Sequence, residues 1–196
     1  MDHTTLGTAL ALIDGRASSK VAGSSAVVRT LTKFGTPALA FARDRGIRIV
    51  PLARAQRYAD ASGALRRMGI DVDRWPAPPA GLFVVEERCV YLRSRSAMTV
   101  AHEFGHALDC ALGGGVYRST VDPELRALFS AANTFVTPYA ATGLDEYFAE
   151  CVRAFVEVND PASFWPRATR QRLRRLDLGM YEYVERLFAN EFAAAA

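Results

Sequence analysis

Long apolar runs are missing from this 196-residue chain. A bilayer span needs about 18 to 20 consecutive apolar residues, whereas the most apolar early stretch, Leu6 to Ile13, is short, follows no basic region and is closed by Asp14. Neither a membrane partner nor a Sec-type leader is expected. Cysteine is scarce too: Cys89, Cys110 and Cys151 are odd in number, lack Cys-x-x-Cys spacing and sit in apolar segments. They exclude a disulfide scaffold and read as reduced core side chains, made in a reducing compartment. Lysine is nearly absent, Lys20 and Lys33 being the only ones among 24 basic residues, and 21 acidic residues leave a net charge of +3. So mild an excess gives no footprint for nucleic acid. Its one local cluster, Arg167, Arg170, Arg172, Arg174 and Arg175, reads as a solvated helix face. Histidine occurs three times, at positions 3, 102 and 106.

What the chain does have is globular: 50% hydrophobic and 23% charged residues, at a length that suits one domain with a core of its own. Residues 1–36 are rich in Ser, Thr and Gly, notably over Ala17–Ser25, and are expected to be a loosely ordered tail or an accessory helix, with the compact domain spanning 37–196. The pattern there predicts a helix from Pro37 to about Arg45 stopped by Gly46, a β-branched strand over Ile47–Leu52, and a helix over Ala53–Met68 stopped by Gly69. The prolines of Trp75–Gly81 demand a loop. Leu82–Glu86 and Cys89–Arg93 predict a hairpin, whose second strand alternates as though one face packed on a core and the other faced a cleft. Further helices are predicted to Leu112 after a Ser96 or Ser94 cap, from Asp122-Pro123 to about Phe135, over Leu144–Val158, and twice within Pro166–Phe192. A little sheet followed by many helices is an α+β order.

Inside the helix ending at Leu112 lies His102-Glu103-Phe104-Gly105-His106. Two histidines four apart share a helix face and can chelate one zinc ion, while the adjacent Glu103 points beside the metal, where it can take a proton from a bound water. A catalytic zinc needs a third protein ligand. His3 lies in the N-terminal segment, and Leu112 stands where a third histidine of the metzincin spacing would be, so the ligand should be a carboxylate. Glu146 and Glu150, again four apart on an amphipathic helix, supply a pair: Glu146 is assigned to the metal, and Glu150 to the free ring N–H of a liganding histidine. Asp109 reads as structural support, and Gly105 as a point of close backbone approach.

HEFGHALD, followed about forty residues later by DEYFAE, resembles the anthrax lethal factor-like zinc metalloendopeptidases, a gluzincin group that also looks like the clostridial Pro-Pro endopeptidases. The resemblance spans roughly 37–190 and is specific in Val100–Asp109 and Asp145–Arg153. It implies a zincin-like α+β domain, a small mixed sheet with an active-site helix and a helical C-terminal half. It also implies one zinc ion on His102, His106 and Glu146, with Glu150 behind a zinc-bound histidine. A family tyrosine seven residues before the zinc glutamate polarises the substrate carbonyl, and Tyr139 holds that position here. The implied activity is hydrolysis of a protein substrate by a monomer, in a bacterial toxin or effector made in the cytoplasm and kept there or exported by a specialised machine. The strand Cys89–Arg93 would be the cleft's upper edge, pairing with the substrate as an extended strand. The alternatives are an intracellular, repressor-directed regulatory peptidase that shares HExxH, and a zinc-binding module without turnover.

Overall fold

The computed structural model describes residues 3–13, 24–164 and 166–195. Three four-residue strands, β1 (Arg48–Pro51), β2 (Gly81–Val84) and β3 (Cys89–Leu92), form one sheet in the order β1-β3-β2. β1 runs parallel to β3, with Ile49 opposite Val90, and β2 antiparallel to it, with Phe83 opposite Val90. The hairpin is closed at Arg88, which takes a left-handed φ of 49°.

Alternation along β3 separates two apolar clusters. Val90 and Leu92 join Ile49 and Phe83 in the main core. Cys89 and Tyr91 face a smaller cluster with Leu52, Tyr58, Leu65 and Val84. All four β3 residues are therefore buried. This overturns the expectation that β3 borders a cleft: as the central strand it has both backbone edges paired and both faces covered, so no peptide can add to it. Among the described residues, the free edge beside the hairpin belongs to β2.

The second face is covered by α4 (Tyr58–Ala61) and α5 (Gly63–Met68). These replace the single helix expected over Ala53–Met68, because Ser62 is extended and caps a new helix by accepting from the Leu65 N–H. Glu87 from the hairpin reinforces that start by accepting from Ser62 Oγ at 2.7 Å and the Ala64 N–H at 2.9 Å.

The main core lies under the sheet around α6 (Ala97–Leu112), almost every residue of which from Val100 to Ala111 is buried. Ser96 caps it, accepting from the Thr99 N–H, and the chain leaves it at Gly113. The described part of 1–36, expected as a tail or accessory helix, forms α1 (His3–Leu12) and α2 (Ser24–Leu31). Their Ala9, Leu12, Val27, Val28 and Leu31 lie in the same apolar cluster as α3 (Gly35–Asp44) and α6. Just past α2, Phe34 meets the α6 ring of Phe104 edge-on at 4.8 Å. Most of the Ala17–Ser25 stretch lies outside the described residues.

Beyond α6 come α7 (Arg118–Val121), α8 (Pro123–Ala131), α9 (Leu144–Phe155), α10 (Arg170–Leu176) and α11 (Leu178–Arg186). Asp122 caps α8 with Pro123 in its first turn. The helix is shorter than expected, as is α9. Part of the basic cluster is used structurally: Arg170 Nε donates to Phe155 O at the end of α9, Arg172 Nε donates to Val136 O, and Arg174 lies over the Tyr181 ring. The three cysteines are buried, as expected, and among the described residues none is joined in a disulfide.

Candidate active site

Two antiparallel helices build the site. α9 crosses α6 at Gly105, where a Cβ would come within 2.9 Å of the Ala149 backbone, so only glycine lets the helices approach this closely. The approach sets the histidines of one helix against the glutamates of the other. His102 Nε2 lies 3.0 Å from His106 Nε2 and 3.0 Å from Glu146 Oε2, and His106 Nε2 lies 3.4 Å from the same oxygen.

Several lines show that this cluster fits a metal cation. His102, His106 and Glu146 each offer one ligand atom to a common point. Glu146 Oε2 is buried and makes no hydrogen bond among the described residues, a costly arrangement without a counter-charge. The His102 ring turns Nδ1 to Glu150 Oε1 at 3.0 Å. With the proton on that nitrogen, Nε2 presents a bare lone pair toward the other two ligand atoms. Burial opposes charge on this imidazole, but the carboxylates of Glu146 and Glu150 outweigh it and raise His102 to about 10. Burial likewise opposes charge on Glu146, yet the two imidazoles hold it down at about 2. The pocket thus favours positive charge at its centre.

Glu150 is fixed on all sides. Arg153, 1% exposed, grips it with Nε to Oε1 at 2.8 Å and a terminal nitrogen to Oε2 at 2.7 Å. Thr137 Oγ1 donates to Oε2 at 2.6 Å. Burial works against its charge, but Arg153 and then His102 hold its carboxyl well below the usual range. The other guanidinium nitrogen of Arg153 donates to Val158 O at 2.8 Å. Neither Arg153 nor Thr137 was singled out from sequence. The available signal was an arginine three residues after Glu150 on the apolar stripe of a helix, where an unpaired charge would be intolerable.

Glu103 is buried under the sheet's free edge, and burial raises its carboxyl above the ordinary value. A Cβ on Gly81 of β2 would lie 2.5 Å from Glu103 Cγ and 2.9 Å from Thr99 Cγ2. Tyr139, 44% exposed, donates its hydroxyl to Glu146 Oε1 at 3.1 Å, and its ring lies 5.3 Å from that of His102. These groups line a cleft of about 360 Å³ with Pro79, Ala80, Gly81 and Met98. Asp109 stands outside the cluster, fully buried, accepting from the Ser119 N–H at 2.8 Å and Ser119 Oγ at 2.6 Å. All six candidates, His102, Glu103, His106, Tyr139, Glu146 and Glu150, therefore meet in one place.

A small mixed sheet over an HExxH helix, with a glutamate helix antiparallel to it, defines the zincin-like class of α+β folds. Among solved structures, the chain is similar to that of the Pro-Pro endopeptidase PPEP-2 from Paenibacillus alvei, with a TM-score of 0.65 and 20% identity over 92% of this chain and 99% of that one. No family model and no curated protein sequence matches the chain. At that identity the likeness establishes the fold.

Proposed function

We propose that the protein is a zinc-dependent metalloendopeptidase that hydrolyses peptide bonds of a protein substrate and works as a monomer. One observation carries the reading: two imidazole nitrogens and a buried, hydrogen-bond-free carboxylate oxygen converge within 3.0 to 3.4 Å, beside a cleft that His102 lines. His102, His106 and Glu146 would hold zinc, which when bound acidifies a water and polarises the scissile carbonyl. Glu103 takes the proton of the attacking water and returns it to the leaving amine. Tyr139 would turn its hydroxyl hydrogen bond from Glu146 to the developing oxyanion, keeping its proton. Glu150, held by Arg153 and Thr137, fixes the ring and tautomer of His102. The substrate lies extended along β2, whose Gly81 brings the strand edge against Glu103.

The test is zinc content and peptide cleavage by the purified protein, with zinc and with chelator, on a peptide library that includes Pro-Pro bonds, the bond named for the PPEP-2 neighbour. One zinc per chain and chelator-sensitive cleavage are expected. A folded protein that holds no zinc, or that cleaves no peptide when loaded, refutes the proposal.

A further inference from the structure

A second cavity, of about 370 Å³, lies beside the first, lined by Arg29 and Thr30 of α2, Lys33 just past it, Arg95 just before α6 and Ala97 at its start, and Glu157–Asn159 past the end of α9. The same two helices order both cavities. Along α6, Arg95 and Ala97 line this one while Met98, Thr99 and Glu103 line the catalytic cleft. Along α9 and its exit, Glu150 and Arg153 line the cleft while Glu157, Val158 and Asn159 line this cavity. Arg153 links them by donating to both Glu150 and Val158 O.

The polar groups of this second cavity divide sharply. Thr30 spends its hydroxyl proton on Ala26 O. Asn159 is paired through both side-chain atoms with the Ala168 backbone. Glu157, the one acid of the lining, turns Oε1 to the Arg170 N–H at 3.3 Å and forms no ion pair with the three cations. Arg95 is oriented by a bond to Leu52 O at 2.8 Å, and its Nε is buried with no hydrogen-bond partner. Arg29 and Lys33 have no acidic partner among the described residues. A concave surface with three cations and one diverted carboxylate concentrates positive potential.

We propose that this cavity is a specificity subsite for an acidic side chain of the peptide substrate. The inference rests on the peptidase reading above and names a chemistry that the catalytic cleft does not set. Arg95 and Glu103 are separated by eight positions on or just before α6, roughly 12 Å at about 1.5 Å per residue. An extended chain rises about 3.3 Å per residue, so an Asp or Glu about three or four residues from the scissile bond, on one side only, reaches the cations.

The test uses full-length protein carrying Glu103→Gln and a fluorescent positional library of extended peptides, each position fixed in turn as Asp, Glu, Ala or Lys. Polarisation should show one position at which Asp or Glu binds about 10- to 100-fold tighter than Ala, the range for charge-assisted hydrogen bonds. Adding Arg29→Glu with Lys33→Glu, both exposed, should erase that preference, leaving the melting temperature and the affinity for all-neutral peptides unchanged. In the enzyme with Glu103 intact the same pair should raise KM for acidic peptides and leave kcat alone. Equal binding of acidic and neutral peptides, or a preference that survives the double substitution, overturns the subsite. Zinc-loaded enzyme that cleaves nothing, while the Glu103→Gln protein still selects acidic peptides, overturns the peptidase reading and keeps the subsite. Peptide binding at no position removes both.

Discussion

Arg153→Met removes the guanidinium that closes the buried end of the site while nearly keeping its volume. Glu150 then stays 4% exposed with only His102 and Thr137 as partners. Removing one member of a buried ion pair costs about 3 to 5 kcal/mol, and the lost donor to Val158 O adds about 1 kcal/mol. Because Glu150 keeps two partners, the lower end applies, about 3 to 4 kcal/mol. For a chain of this length about 1 kcal/mol moves the melting temperature by roughly 2 to 4 °C, so thermal unfolding of the chelated protein should fall by about 6 to 16 °C. Adding Glu150→Gln removes the orphaned charge and should restore most of that loss. It should not restore zinc affinity, measured by competition with a chromogenic chelator, because the carboxylate that fixes His102 is gone; a loss of about 10- to 100-fold is expected. A melting temperature within 2 °C of wild type for Arg153→Met, or a double variant no more stable than the single one, would refute the view that this pair compensates a buried charge.

Glu103→Gln should keep zinc by elemental analysis and abolish peptide hydrolysis, since it removes a base and no ligand; turnover within a few-fold of wild type would exclude it as the base. Tyr139→Phe should lower kcat about 100- to 1,000-fold with zinc affinity and KM nearly unchanged, as for loss of one oxyanion donor, and unaltered steady-state kinetics would remove it from the mechanism. Gly105→Ala places a methyl against the Ala149 backbone; overpacking of about 1 to 3 kcal/mol exceeds the gain of about 1 kcal/mol in helix propensity. Zinc affinity should fall with stability as the two helices part, and wild-type metal binding would show that the contact yields freely. Burial raises Asp109 to about 6 from an ordinary 3.8, so between those values the folded state holds a proton that the unfolded state has lost. Its contribution to stability is present below about pH 4 and is lost as pH rises through about 6. Denaturant titration of chelated protein should therefore show Asp109→Asn losing less stability than wild type between pH 4 and 6, and parallel profiles would contradict the assignment.

Local chemistry is readable in the sequence. The HExxH helix, its Ser96 cap, the Asp122-Pro123 start and the paired glutamates each depend on residues within a few positions of one another. What sequence obscured depends on distant partners. Alternation in β3 marks two faces and is silent on whether a second layer covers the outer one, as α4 and α5 do. The break at Ser62 is unreadable from Ala53–Met68 alone, because Glu87 from the hairpin stabilises it. In α1 the apolar pattern at Leu6, Leu10 and Ile13 suggests a weak stripe, yet Leu10 is exposed and Ala9, Leu12 and Ile13 are buried. Arg153 and Thr137 become meaningful only once Glu150 is known to lie between them.

Ile13 forms an isolated parallel bridge to Ile49 on the outer side of β1. The N-terminal segment thereby occupies, at that residue, one of the two edges of a three-stranded sheet, and among the described residues β2 is left as the open one. Open strand edges recruit other strands without regard to their source. A second copy of this chain, a misfolded neighbour and a substrate would all compete for the same backbone groups beside Glu103. Edge-to-edge self-association would cover the cleft beside it, so under the proposed function aggregation and catalysis would draw on one resource.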